Sequence, residues 1–226
     1  APDSAAVGEE VSLTITLSEL YREPSLEEWE LTGETALENP TWTVVYYDQT
    51  GSKVDQESFG GQTFAGASVV ADDGVSEVEV QLTGTVPEVS EFTYDPRQTF
   101  TAAALQQVPP GGGANDLATV EPAYFTAESE EARAALDAAA TEIDAAGDPQ
   151  APSDKFEQAV QAYESGEFGL ATTLANEAET QAEQAQSTAN RNRLLLMGAG
   201  ALLVVGAAVG GFCYWRSQQD STARLG

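Results

Sequence analysis

The stretch Val11–Leu17, VSLTITL, places Val11, Leu13, Ile15 and Leu17 on one face of an extended chain and Ser12, Thr14 and Thr16 on the other. A period of two with β-branched residues is the signature of a strand that buries one side only. The same pattern recurs downstream. Thr41–Tyr47, TWTVVYY, sets Trp42, Val44 and Tyr46 on one face and runs into Asp48-Gln49-Thr50-Gly51-Ser52, which is turn chemistry, so a return strand is expected from Lys53. Val75–Val86 turns Val78, Val80 and Leu82 one way and Glu77, Glu79 and Gln81 the other, Glu28–Leu31 is a shorter candidate, and Gln98–Val108 carries Phe100, Ala102 and Ala104. Several short half-buried strands separated by turns over about 100 residues predict an antiparallel β-sandwich of the immunoglobulin kind, spanning 1–108, with Trp42 in its core.

Pro109-Pro110-Gly111-Gly112-Gly113 breaks the pattern and predicts a linker over 109–126. Beyond it the period changes. From Ser129 to Ala146 the chain is alanine-rich, with Leu136, Ala139 and Ile143 at helical spacing, Ser129 as expected N-cap, and Gly147-Asp148-Pro149 as the stop. A second helix is expected from Ser153, with Phe156, Ala159, Val160 and Tyr163 as its apolar stripe, and a third from Phe168, with Leu170, Leu174, Ala178, Ala182 and Ala185. The segment 127–193 thus reads as a helical hairpin or stalk.

Leu194–Trp215 is 22 residues without a charge, about 33 Å as a helix against a hydrocarbon core of about 30 Å. It is the expected single transmembrane helix, continuous with the stalk. Every acid but Asp220 precedes it, while the tail 216–226 holds Arg216 and Arg224. That asymmetry predicts an extracellular N-terminal part and a cytoplasmic tail. Ala1-Pro2 reads as the mature end left by removal of a signal peptide. Within the span, Gly206 and Gly210 form a G-x-x-x-G step, and Ala207 with Gly211 a second small-residue step. These four are the candidate helix-packing residues, for self-association or for another membrane protein.

The chain carries 37 Asp plus Glu against 9 Lys plus Arg and no histidine, a net charge of -28. Such self-repulsion opposes compaction unless salt screens it, and at about 1 M the Debye length is about 3 Å. The same charge disfavours nucleic-acid backbones. With no histidine and the single cysteine Cys213 inside the span, Ser-His, Cys-His and histidine-metal chemistry is impossible. Glu9-Glu10, Glu27-Glu28 and Asp72-Asp73-Gly74 lack the alternating-acid loop that encloses calcium. No phosphate-binding glycine motif is present. No catalytic, cofactor-binding or metal-binding residue is therefore nominated, and no cofactor is expected. The reading is non-enzymatic.

With only Lys53 and Lys155 as lysines, the composition is similar to that of proteins from extremely halophilic archaea. VGEEVSLTITL from Val7 and VEVQLTGTVPEV from Val78 resemble the immunoglobulin-like, cell-adhesion-related domains of haloarchaeal cell-surface proteins. Such proteins join that domain to a helical stalk and a C-terminal membrane anchor. The resemblance implies a structural or protein-interaction role, with membrane lipid and another envelope or membrane protein as partners. QAYESGEFGLATTLANEA from Gln161 is similar to the turn of a tetratricopeptide hairpin, through Tyr163, Gly166, Phe168 and Ala175. The alternative reading is a single-span accessory subunit of a larger complex such as a transporter, protease or respiratory assembly.

Overall fold

A computed structural model describes residues 2–22, 26–188 and 191. The expected transmembrane helix 194–215, the tail 216–226, the packing residues Gly206, Ala207, Gly210 and Gly211, and Cys213 all lie outside the described residues. Among the described residues no helix is long and apolar enough to cross a membrane.

The protein is mixed β and α, with antiparallel sheets followed by helices. The strands are β1 (Ser4–Ala6), β2 (Glu10–Ser18), β3 (Glu28–Glu34), β4 (Glu38–Asp48), β5 (Lys53–Gly60), β6 (Thr63–Val70), β7 (Val75–Thr85), β8 (Ala103–Val108), β9 (Asn115–Val120) and β10 (Ala123–Phe125). The helices are α1 (Ala127–Ala146), α2 (Gln150–Glu164) and α3, described over 168–188. The chain divides into two compact units, one of Ala1–Arg133 with Val160–Leu170 and the other of Ala134–Ala159 with the chain from Ala171 onward.

In the first unit, one four-stranded sheet has the order β2-β7-β4-β5 and the other β6-β3-β8-β9, all pairs antiparallel. A small parallel pair, β1 with β10, completes the β structure. The alternation of each strand does what its period requires. Leu13, Trp42, Val44, Tyr46, Val78, Val80 and Leu82 from the first sheet and Trp29, Leu31, Phe64, Ala67, Val69 and Leu105 from the second are buried in one apolar cluster. Both tryptophans satisfy their indole N–H, Trp29 to Leu20 O at 3.0 Å and Trp42 to Gly61 O at 3.1 Å, as burial of a donor demands. Gly33 is where a side chain would collide, since a Cβ there would come within 2.2 Å of Cε1 of Phe64 and force the ring to shift. That ring is itself held 4.9 Å from both Trp42 and Phe59.

Four sequence expectations are corrected. The stretch 109–126 is not a linker: Pro109–Gly113 is the connection between β8 and β9, and β9 and β10 pair with β8 and β1. A Pro/Gly run marks a chain reversal as readily as a domain boundary, and the pairing that distinguishes them is non-local. The strand expected from Gln98 begins only at Ala103, because the inward face changes parity where Ala102 and Ala103 are both buried. The N-cap of α1 is Thr126, whose N–H donates to Ser129 Oγ at 2.9 Å while Thr126 Oγ1 accepts from Ser129 N–H at 3.1 Å. This reciprocal box puts Ser129 at the third helical position. Helix α2 starts at Gln150 rather than at Ser153, because Pro152 lies in a first turn whose N–H groups need no helical partner.

Both α1 and α2 end in the same device. Gly147 (φ 81°) and Gly166 (φ 78°) take the left-handed conformation. Asp148 N–H then returns to Ile143 O at 3.1 Å and Glu167 N–H to Ala162 O at 2.9 Å. In the second unit the buried hydrophobic positions include Leu136, Ala139 and Ile143 of α1, Ala159 of α2 and Ala171, Ala175, Ala178 and Ala182 of α3. The face of α3 therefore starts one residue later than the expected Leu170, which is 48% exposed. Lys155 Nζ joins α2 to Glu177 of α3 at 3.1 Å.

Candidate functional site

The densest arrangement of polar and aromatic side chains lies in the first unit and gathers the loop after β7, the first turns of α1 and the turn between α2 and α3. The loop is shaped by its own hydrogen bonds. Around the cis Asp95–Pro96 peptide, Thr93 Oγ1 donates to Pro96 O at 2.7 Å and Thr93 N–H to Gln98 Oε1 at 3.3 Å. Gln98, itself buried, donates from Nε2 to Tyr124 O at 3.0 Å. This leaves Phe92, Tyr94 and Arg97 projecting from a pinned backbone.

Arg133, on α1, closes on that backbone. Its terminal nitrogen donates to Thr93 O at 2.9 Å and Tyr94 O at 2.6 Å, with the guanidinium carbon 5.0 Å from the Tyr94 ring centre and 5.6 Å from that of Tyr163. A cation over aromatic faces, with charged hydrogen bonds to carbonyls, is a favourable way to hold a guanidinium away from bulk water. Phe92 meets Phe168 edge to face at 4.7 Å, and Phe168 meets Tyr163 at 5.5 Å. Tyr163 is 1% exposed. One helical turn earlier on α1, Glu130 pairs with Arg97, whose guanidinium also stands 5.5 Å from the Phe125 ring.

Chemically this is a clasp: carbonyls and rings surround the Arg133 guanidinium, and a carboxylate and a ring that of Arg97. Tyr46 donates its hydroxyl to Glu57 at 2.9 Å, and burial, then that hydrogen bond, pushes its pKa far up, so it stays protonated. It shares an open cleft of about 280 Å³ with Asp55, Glu57, Ser68 and Asp73. Among the described residues no group of Asp, Glu or Cys is placed to hold a metal. Asp48 accepts from Thr50 Oγ1 at 2.7 Å and from the N–H groups of Thr50 and Ser52, first the hydroxyl and then the backbone bonds holding its carboxyl below the usual range. That is the hairpin turn between β4 and β5 and serves the fold.

None of the clasp residues was legible as a site in the sequence, although Tyr163 and Phe168 stood out as hairpin residues. The one available signal was rarity: in a chain with 9 basic residues, Arg97 falls within the aromatic-rich string from Phe92 to Phe100, whereas Arg133 lies in an alanine-rich stretch that gives no such hint.

No protein-family model and no curated protein matches the chain. Among solved structures it is similar to Spo0M, a sporulation control protein from Bacillus subtilis, at 12% identity over 60% of this chain and 51% of that one, with a TM-score of 0.33. The chain thus spans about half the length of that structure, and a likeness at this level carries no argument about fold or role.

Proposed function

We propose that this is a non-enzymatic, membrane-anchored extracellular protein of a halophilic archaeal surface, serving a structural or protein-interaction role. The β-rich part is its recognising head, the helices its stalk and 194–215 its anchor. The observation that carries this reading is the distribution of charge. Among the described residues no Asp or Glu is buried, while the buried side chains are mainly apolar and aromatic, with Thr35, Gln98, Gln107 and Ser129 as the buried polar ones. A shell of solvated carboxylates around a conventional core suits a protein that folds and works in concentrated salt. The uncharged stretch 194–215 supports the anchor.

The immunoglobulin-like reading of the head rests on its central strands. β3 beside β6, β4 beside β7 and the β4–β5 hairpin follow the arrangement of the second and fifth, third and sixth strands of variable-type domains. The outer strands depart from it. β2 lies beside β7 and β8 beside β3, whereas the first immunoglobulin strand lies beside the second.

Purification of the full chain from membranes in mild detergent and molar salt, with identification of co-purifying chains, tests the role. Self-association or an envelope-layer partner is the expected result. A stoichiometric set of multi-span proteins would instead establish the accessory-subunit alternative.

A further inference from the structure

Sheet edges are hazards, because a row of unpaired N–H and C=O groups templates another strand, and proteins guard them with charges, prolines, bulges or kinks. Among the described residues the two four-stranded sheets have four such edges, β2 and β5 in one and β6 and β9 in the other. Three are guarded. β5 carries Lys53, Asp55 and Glu57 and pairs across a bulge at Tyr46/Tyr47. β6 is kinked at Gly66 (φ 94°) and pairs across a shift at Leu31/Gly33. β9 carries Asp116 and pairs across a shift at Leu105/Gln106.

β2 has none of these devices. Its nine residues pair with β7 in unbroken register, from Glu10 opposite Thr85 to Ser18 opposite Glu77, with no proline, glycine or lysine and Glu10 as the sole charge. Gly8 N–H donates to Val86 O and Val86 N–H to Glu9 O, at 3.0 and 2.9 Å. That phase directs the backbone groups of Val11, Leu13, Ile15 and Leu17 toward β7 and those of Ser12, Thr14, Thr16 and Ser18 toward the open side. Among the described residues no hydrogen bond reaches that side. The inner face is also unfinished there: Val11 and Leu13 are buried, yet Ile15 and Leu17 are only half-buried.

We propose that β2 pairs antiparallel with β2 of a second copy of this chain, about a two-fold axis through Thr14. The strand is self-complementary about that residue. Leu13 then faces Ile15 of the second copy and Val11 faces Leu17, so each well-buried side chain meets a half-buried one. Ser12 faces Thr16, and Glu10, the only charge, faces Ser18 and never its own image. An isologous contact of this kind closes on itself and joins two sheets of the same order into one continuous sheet. The remaining opposition is the net charge of each chain, -28, so the pairing strengthens with salt.

The test must separate this contact from pairing of anchor helices, so it is read by position. In the full chain carrying Cys213→Ser, in mild detergent and molar salt, Thr14→Cys is oxidised gently. Across the axis the two Cα atoms lie about 5.5 Å apart, within disulfide reach. Thr83→Cys, on the same sheet face but one strand inward and opposite Ser12, would be about 20 Å from its image, three strand spacings across and four residues along. The expected result is a covalent dimer for Thr14→Cys and none for Thr83→Cys. Adding Thr16→Pro, whose lost N–H faces the open side and so costs the β2–β7 ladder nothing, should abolish the cross-link while the melting transition of the head is retained. Absence of the cross-link in folded chain, equal cross-linking at both positions, persistence after Thr16→Pro, or capture of a different protein by Thr14→Cys would each overturn the self-pairing.

Discussion

The two compact units bury different materials. The β-rich unit fills its core with large side chains, Trp29, Trp42, Leu31, Phe64 and Leu82 among them, whereas the helices bury mainly alanine, with Ala139, Ala159, Ala171, Ala175, Ala178 and Ala182 all fully enclosed. Burial energy scales with apolar area, so each β position contributes more than each helical one. The helices rest instead on high alanine propensity and capped ends, with small side chains at the buried positions. One region is stabilised by what its side chains add and the other by what they omit.

Substitutions can break this contrast or sharpen it. Trp42→Ala should cost the most, about 3–5 kcal/mol, seen as a lowered denaturant midpoint; a loss below about 1 kcal/mol would mean the two sheets do not share their core. Ala178→Leu tests the opposite rule, and overpacking should destabilise the helices by about 1–3 kcal/mol, measured by helical circular dichroism on melting. A neutral or stabilising result would show that the alanine face is loosely packed. Gly33→Ala should cost a similar amount through collision with the Phe64 ring, which the Trp42 and Phe59 contacts prevent from yielding.

Arg133→Met removes the charge but keeps apolar length, leaving Thr93 O and Tyr94 O without their donor. The expected loss is about 1–3 kcal/mol, of similar size in 0.5 M and 3 M salt because the contacts are to carbonyls and rings. Loss confined to low salt would instead mark an ordinary surface charge. The smallest effect is expected from Asp48→Asn. The Asp48 carboxyl is held below its ordinary pKa in the folded state, so its contribution is present above the unfolded value, about 4, and is lost as pH falls through the folded one. The variant should be slightly less stable than the parent at pH 7 and converge on it as acidification protonates the parent's carboxyl, so that it loses less stability over that range; an identical acid limb would remove the turn carboxylate from the account.

The strands around Val11–Leu17, Trp42 and Val78–Leu82 were legible because alternation is local and each alternating residue kept its face. β6 escaped because Gly66 interrupts its period, and β9 because a Pro/Gly run precedes it and its residues are mostly exposed. Strands of that kind are recognisable only by the neighbour they pair with. The helix ends at Gly147 and Gly166 were readable from glycine placement alone, but the choice of Thr126 over Ser129 as cap depended on a reciprocal pair that either residue could have opened. The clasp was not readable at all, since Arg133 finds its acceptors 39 and 40 residues away.

By itself the sequence determined the class of the regularly patterned segments, the great excess of acids over bases, the lack of histidine in these 226 residues, and the apolar stretch that predicts an anchor, because these follow from residue type and short-range period. Only the tertiary structure decided which strand lies at an edge, that β2 is the unguarded one, that the Pro109–Gly113 turn stays within the β structure, and that two scarce arginines are drawn against aromatic rings. Those depend on which distant segments meet, and meeting is settled by the packing of the whole chain and not by any local pattern.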